Sequence, residues 1–217
     1  MRLKEFLGVI ILIALTGCAT SNTSTKPATL LGPSLILLTG GADGDLLTRV
    51  VEPVTGIAFP FKVRFSQDTE DYTLHLTGAA VYKKWFLKVY AIAHYLQTPK
   101  RVSPLDRKKI LTDGPAKQMT IQFARNVPAQ KITTILREGF ELNTTPSEYR
   151  EIETYVEQML AFFVRPVKKG DVFVMRWLSG GRVYFQFNGQ KQGDGKSVLF
   201  ARSLWAIWLG EHSVVDP

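Results

Sequence analysis

The sequence is poor in the residue types that build most metal sites and covalent active sites. It contains one cysteine, Cys18, and three histidines, which are His75, His94 and His212. A single cysteine cannot form an intramolecular disulfide, and the histidines do not lie at the short spacings of a metal-ligand motif. No Ser-His-Asp or Cys-His arrangement is indicated either. We therefore predict no metal site, no cofactor and no nucleophilic catalytic group.

The sequence also lacks a signature for nucleic-acid or nucleotide binding. Its formal net charge is +8 at pH 7, which would suit anionic lipid headgroups or nucleic acid, or simply a solvated basic surface. No predicted helix carries a basic stripe, and no known nucleic-acid motif is present. The glycine-rich stretch 40–44 is not followed by the Gly-Lys-Ser/Thr of a phosphate loop. We therefore expect no nucleic-acid partner.

Apolar runs long enough to span a membrane are missing, but a shorter one lies near the N-terminus. Arg2 and Lys4 precede the apolar run 6–15, and residues 15–18 read Leu-Thr-Gly-Cys. This pattern is that of a secretory signal. Its end resembles the bacterial lipobox, in which the cysteine thiol takes a diacylglyceryl group and the cysteine becomes the new N-terminus. An ordinary signal peptide with an incidental cysteine is the alternative.

The pattern predicts that Cys18 is lipidated and that the membrane is a partner through this group. Residues 1–17 are predicted as the lipoprotein signal peptide, 18–29 as a flexible Ser- and Thr-rich tether, and 30–55 as an N-terminal extension that the pattern does not define. Alanine, not aspartate, follows the cysteine. We therefore expect a lipid-anchored protein of the bacterial cell envelope, in the outer membrane and facing the periplasm.

The central part of the chain has the alternation of an antiparallel sheet. The stretch 85–96 is rich in β-branched and aromatic residues and has no purely polar face, so it is predicted as a central strand covered on both sides. The Gly-Ala-Ala of 78–80 is predicted as a break before it. The Asn-Gly pair at 188–189 predicts a tight hairpin. Alternating apolar and polar residues predict further strands at 61–65, 72–77, 119–123, 172–177 and 183–187.

Three helices are predicted from periodicity and capping residues. Pro128 suits the first position of one helix. The Thr-Pro-Ser-Glu of 145–148 is a capping box for a second. A third runs over 197–209, with Gly210 as its stop. The order of strands, helices, strands and a helix predicts an α+β fold in which a large curved antiparallel sheet has helices packed on one face.

The order and spacing of several short motifs resemble the chalcone isomerase-like family. The resemblance extends over the domain that we take as 56–217. It implies the family fold, an open-faced β-sandwich with a large antiparallel sheet covered by helices, in agreement with the periodicity. The motifs are Gly-Ile-Ala-Phe-Pro at 56–60, Leu-Thr-Gly-Ala-Ala-Val at 76–81, Phe-Leu-Lys-Val-Tyr-Ala-Ile at 86–92, Arg-Glu-Gly-Phe-Glu at 137–141, Lys-Gly-Asp at 169–171, Phe-Asn-Gly at 187–189 and Phe-Ala-Arg-Ser-Leu at 200–204.

The resemblance also indicates where a site would lie and what it lacks. Plant members cyclise chalcones with the help of an arginine that follows a Gly-Ala-Gly-Val-like segment; here that segment is 78–81 and the next residue is Tyr82. The threonine of the plant enzymes is matched by Tyr90, and 127–136 contains no Tyr or Asn to fill the remaining plant positions. A neutral phenol cannot replace the fixed charge of a guanidinium. The resemblance therefore implies that the plant catalytic site is mostly absent.

Other branches of the family bind fatty acids between the sheet and the helices. We therefore expect a non-catalytic binder of an apolar or fatty-acid-like small molecule, with Tyr82 and Tyr90 in its pocket. Arg125 or Arg137 is the candidate cation for a carboxylate. One alternative is an isomerase or intramolecular lyase acting on an enone-like substrate, with Tyr82 as donor or base. Another is a structural envelope protein in which both tyrosines are core aromatics.

Overall fold

A computed structural model gives the structure of residues 36–38, 49–84, 86–97 and 110–214, with the backbone alone for 36–38. The predicted signal peptide, Cys18 and the tether lie outside these described residues. Within them the chain forms ten strands and three helices. The elements are β1 (Ile36–Leu38), β2 (Arg49–Val51), β3 (Ala58–Pro60), β4 (Lys62–Gln67), β5 (Glu70–Lys84), β6 (Leu87–Leu96), β7 (Lys117–Phe123), α1 (Ala129–Leu142), α2 (Pro146–Leu160), β8 (Val172–Leu178), β9 (Arg182–Phe187), β10 (Gln190–Lys196) and α3 (Val198–Leu209).

Strands β4 to β10 form one antiparallel sheet in the spatial order β10-β9-β8-β7-β6-β5-β4. The sheet curls into a half-barrel, and the three helices pack together. Strands that are consecutive in the sequence pair with each other throughout this sheet. Helices α1 and α2 are inserted between β7 and β8, but these two strands still lie side by side. The predicted fold class is therefore confirmed.

One face of the sheet lies under the helices and forms the larger core. Each helix contributes a buried stripe to it, represented by Phe140 of α1, Ile152 of α2 and Trp205 of α3. Burial of such side chains is the main favourable term in folding, at roughly 1.5–3 kcal/mol for each large apolar residue. The apolar stripes that the sequence shows at helical spacing are therefore packing surfaces.

The opposite face of the sheet carries a second core beneath a small sheet. Strands β1, β2 and β3 pair in that order, and both β1 and β2 lie within the extension that the sequence pattern did not define. Val50 and Phe59 of this small sheet pack with Leu74 and Tyr95 of the large one. Strand β6 is consequently covered on both faces, as the sequence predicts.

Three local predictions need correction. The Gly-Ala-Ala of 78–80 is not a break but lies inside β5, where the register shifts between Leu76 and Gly78. The central strand begins at Leu87, because Lys84 and Leu87 already pair across the hairpin. Helix α1 begins after Pro128, which occupies the N-cap position and not the first helical position.

Helix ends are fixed to different degrees. The predicted capping box of α2 is present, with the Thr145 and Glu148 side chains each bonded to the other residue's backbone N–H. Ser197 caps α3 by accepting from the backbone of Phe200. Helix α1 has no such side-chain bond at Pro128. Among the described helices, none is long and apolar enough to cross a membrane.

A buried histidine lies where the register of β5 shifts. His94 of β6 is only 7% exposed, and its Nδ1 is 2.6 Å from the Oγ1 of Thr77. The Thr77 hydroxyl lies 3.1 Å from the His94 carbonyl, whereas the buried His94 Nε2 has no partner in the part of the chain that the structure describes. Burial, with a smaller contribution from the nearby Lys117, lowers the pKa of His94 to about 3. The imidazole is therefore neutral in the folded protein.

We predict that His94 makes the protein sensitive to acid. Its pKa falls from the ordinary 6.5 to about 3 on folding, so between these pH values the unfolded chain binds a proton that the folded chain does not bind. The free energy of unfolding is unaffected by this group above pH 6.5 and decreases as the pH falls below 6.5, by up to about 1.4 kcal/mol per pH unit. In urea unfolding over this range, His94→Leu should show a shallower dependence of the unfolding free energy on pH than the wild type. The exposed His212→Leu should leave the slope unchanged. Equal slopes in wild type and His94→Leu would contradict the prediction.

Candidate functional site

A small apolar cavity lies between the sheet and helices α1 and α3. Its volume is about 40 Å³, and its walls come from β5 to β8, the two helices, the segment before α1 and the segments that follow α2 and α3. Tyr82, Tyr90 and Trp208 are the lining residues whose side chains carry polar atoms, and the wall that they help to form is almost wholly apolar. The other lining side chains are Val89, Ile121, Phe123, Val127, Ile132, Ile135, Leu136, Phe163, Phe173, Ile207 and Val214.

Strand register brings the two predicted tyrosines together in this cavity. Tyr82 of β5 pairs directly with Tyr90 of β6, so both side chains leave the sheet on the helix side. Their rings stack with centroids 5.1 Å apart and an interplanar angle of 19°. The ring of Phe123 on β7 meets Tyr90 edge-on at 6.0 Å. The aromatic wall of the cavity is therefore built by three adjacent strands.

The Tyr90 hydroxyl is already engaged in the core. The indole Nε1–H of Trp208 on α3 donates to it at 2.9 Å, and both atoms are buried. Burial raises the pKa of Tyr90 strongly above its ordinary value of 10. Tyr90 is thus a neutral hydrogen-bonding residue that joins α3 to the sheet. The sequence placed Trp208 on an apolar helix face, and nothing in its periodicity signals the partner.

The Tyr82 hydroxyl, by contrast, is free to meet a ligand. The ring is 5% exposed. The hydroxyl has no hydrogen-bond partner among the described residues, and its oxygen is not completely buried. Burial and the nearby carboxylate of Glu138 raise the pKa of Tyr82. At neutral pH this phenol can donate or accept a hydrogen bond, but it is not a base.

Neither predicted arginine reaches the cavity. Arg125 is exposed in the turn after β7, and it is not among the lining residues. Arg137 lies on α1 and forms an ion pair with Glu157 of α2, with a second contact of 3.0 Å, and it also donates to Tyr149 at 3.3 Å. Its guanidinium therefore joins α1 to α2 on the outer side of the helices. Sequence spacing could not reveal this pairing because Arg137 and Glu157 meet through tertiary packing.

A larger surface groove lies elsewhere on the helices but has the features of a structural joint. It has a volume of about 600 Å³ and is open to solvent between the end of α1, the start of α2 and the end of α3. Two of its charged groups serve the fold, since Arg202 contacts Glu148 at 2.6 Å and Glu148 also completes the α2 capping box. Among the described residues no group of three His, Cys, Asp or Glu side chains could hold a metal ion. The closed apolar cavity is therefore the better candidate site.

The sequence and the fold both place this chain among known proteins. A family model described as chalcone isomerase-like matches residues 52–216. The chain belongs to this family. The match includes all the strands and helices that wall the cavity, and it leaves Cys18 outside. A search among curated proteins finds none that matches the sequence.

A solved structure extends the comparison from the sequence to the fold. The chalcone isomerase-like domain is similar to a fatty-acid binding protein of Arabidopsis thaliana, with a TM-score of 0.58 over 77% of this chain and 91% of the plant chain. The two sequences are 16% identical, so the likeness shows a shared fold. The fold expected from the resemblance in sequence is thereby confirmed.

We predict unequal effects of removing the two hydroxyl groups of the cavity. Tyr90→Phe leaves the buried Trp208 N–H without an acceptor, which should lower the free energy of unfolding by about 1–3 kcal/mol. Tyr82→Phe keeps the stacked ring and removes no hydrogen bond within the described chain. It should therefore lower the free energy of unfolding by less than about 0.5 kcal/mol. Urea unfolding of both variants at pH 7 gives the comparison. Similar losses in the two variants would show that the Trp208 bond does not secure α3 to the sheet.

Proposed function

We propose that this chalcone isomerase-like domain binds an apolar or fatty-acid-like small molecule in the cleft between the sheet and helices α1 and α3, without catalysing a reaction. The cavity beside Tyr82 carries the proposal, because its lining is apolar and holds one hydroxyl that makes no bond within the described chain. Ligand sites commonly combine such an apolar wall with few polar groups. The fold shared with a plant fatty-acid binding protein supports the same assignment.

The size of the cavity means that its walls must separate before a ligand enters. It measures about 40 Å³, whereas sites for small molecules usually measure about 300–1,000 Å³. Helix α1 is the wall most suited to move, because it supplies Ile132, Ile135 and Leu136 but lacks a side-chain cap at Pro128. Val214 closes the cavity from the segment after α3 and is tied to Ile207 by one backbone bond of 2.7 Å.

The same small volume supports a second candidate, a structural protein of the cell envelope that binds no ligand. In that case the stacked tyrosines are core aromatics, and the Tyr90–Trp208 bond only fixes α3. The isomerase alternative has less support. An enone cyclisation needs a base and a stabilised anion, yet the pKa of Tyr82 is raised and no described guanidinium or ammonium group lines the cavity.

We also propose that the domain is held at a membrane through a lipidated Cys18, in the outer membrane and facing the periplasm. The support is the signal-like segment 1–17, the Leu-Thr-Gly-Cys of 15–18 and the absence of a competing cysteine. Several acyl chains, each methylene contributing about 0.8 kcal/mol, form a stable anchor. A tethered binder would then sample apolar molecules close to a bilayer.

Native mass spectrometry tests the binding proposal. We expect the full chain with Cys18→Ser, purified from bacteria so that no covalent acyl chain is counted, to carry a non-covalent apolar molecule. Ile135→Trp fills the cavity from α1 and should lower occupancy by about tenfold or more. Thr134→Trp adds the same side chain on the exposed side of α1 and should retain the ligand. If the parent protein stays unliganded after incubation with long-chain acids and alcohols, the structural function is favoured.

The anchoring proposal has a separate test in a bacterial host. We expect the wild-type protein to incorporate labelled palmitate and to fractionate with the outer membrane, because Ala19 follows the modified cysteine. Cys18→Ser should abolish the label. Ala19→Asp should keep the label but move the protein to the inner membrane. Label that persists in Cys18→Ser would exclude Cys18 as the acylated residue.

A further inference from the structure

We propose that the cleft selects a ligand with an uncharged hydrogen-bonding head group, such as an alcohol, amide, ketone or ester, and rejects a carboxylate. The Tyr82 hydroxyl would bind this head group, and Glu138 would disfavour an anion beside it. This inference rests on the proposed binding function and assigns the ligand class. It differs from what the fold comparison alone would suggest, since the similar plant protein is a fatty-acid binding protein.

The first observation is that no cation among the described residues lines the cavity to receive a carboxylate. The described lining side chains are apolar, apart from two phenols and one indole. Arg137 is committed to Glu157 and Tyr149 on the outer side of α1, and Arg125 is exposed outside the lining. Lys83 and Lys84 follow Tyr82 in the chain but are not lining residues either. An ionised head group would therefore lose its hydration without gaining a charged partner among these residues, which disfavours its binding.

The second observation is that Glu138 brings a negative charge near the free hydroxyl. Glu138 follows the lining residue Ile135 by three positions on α1, so it lies near the same helix face. It is near enough to raise the pKa of Tyr82, and it is half-buried. Among the described residues no ion pair joins Glu138 to a cation. A carboxylate bound at Tyr82 would meet this charge across a partly buried space, where repulsion is stronger than in water.

The third observation is that the available polar group is neutral and versatile. The Tyr90 hydroxyl already accepts a hydrogen bond from the Trp208 indole, whereas the Tyr82 hydroxyl makes no hydrogen bond within the described chain. A phenol both donates and accepts hydrogen bonds. It can therefore satisfy a carbonyl or a hydroxyl without needing a charge. Plant-type members have an arginine at the position of Tyr82, as the sequence resemblance indicates, so this substitution changes the site from cationic to neutral.

Calorimetric titration with 1-decanol and decanoate at neutral pH tests the inference, using the full chain with Cys18→Ser. The two probes share a ten-carbon chain and differ in the charge of the head group. We expect decanol to bind at least about tenfold more tightly than decanoate. Because an alcohol enters any apolar site more readily than an anion, the response of each probe to substitutions in the chain decides the matter.

Three single variants and one double variant separate the effect of the Tyr82 hydroxyl from that of the Glu138 carboxylate. Tyr82→Phe should weaken decanol by about threefold to tenfold and leave decanoate unchanged, since only decanol uses the hydroxyl. Glu138→Gln should tighten decanoate by a similar factor and leave decanol unchanged. Glu141→Gln removes an exposed carboxylate from the same helix and should alter neither affinity. The double variant Tyr82→Arg with Glu138→Gln should reverse the preference in favour of decanoate.

The outcomes distinguish this inference from the proposed function. If decanoate binds as tightly as decanol, or if Glu138→Gln and Glu141→Gln behave alike, the head-group assignment is wrong while the binding function stands. If neither probe binds to the parent protein, both are overturned. Tyr82→Phe and Glu138→Gln are conservative changes of side chains that make no hydrogen bond within the described chain. They keep the test decisive even if the arginine variant fails to fold.

Discussion

The register shift in β5 at Thr77 is the constraint on which the candidate site depends. Before it, Tyr72, Leu74 and Leu76 point toward the small sheet; after it, Tyr82 points toward the helices. A strand alternates its side chains strictly, so one additional residue exchanges the two faces. Without this bulge Tyr82 would face the small sheet and could not stack on Tyr90. The Thr77–His94 contacts hold the bulge in place, which gives the buried neutral imidazole a structural role.

Much of the fold could be predicted from the sequence because its signals are local. The Asn188–Gly189 turn and the Thr145 capping box appear as predicted, since both depend on the backbone preferences of a few adjacent residues. The resemblance led to Tyr82 and Tyr90. The sequence predicts a strand break where the structure has the bulge, because a glycine such as Gly78 is compatible with a break and with a bulge. Pairing with the neighbouring strand decides between the two. The partners of Trp208 and Arg137 could not be predicted, since each lies far away in the sequence and is brought close only by tertiary packing.

The narrowness of the cleft also has a local origin. Gly139 of α1 lies against Ile207 of α3 so closely that a Cβ atom would come within 2.9 Å of the isoleucine side chain. Ile207 is itself a wall of the cavity. A glycine at this contact lets α1 approach α3, at a cost of about 1 kcal/mol in helix propensity relative to alanine. The close contact between α1 and α3 therefore keeps the cleft narrow on its helical side.

Net charge does not predict the character of the cleft. The chain carries +8, yet no described lysine or arginine lines the cavity. Two cations lie instead against aromatic rings, Lys117 at 3.6 Å from the Trp177 centroid and Arg176 at 4.1 Å from that of Phe65. Such contacts favour a partly desolvated cation, and Lys117 also has the carboxylate of Asp113 nearby. The proposed selection of an uncharged ligand therefore depends on which charged groups lie beside Tyr82 in the cleft, and the net charge of the chain gives no guide to it.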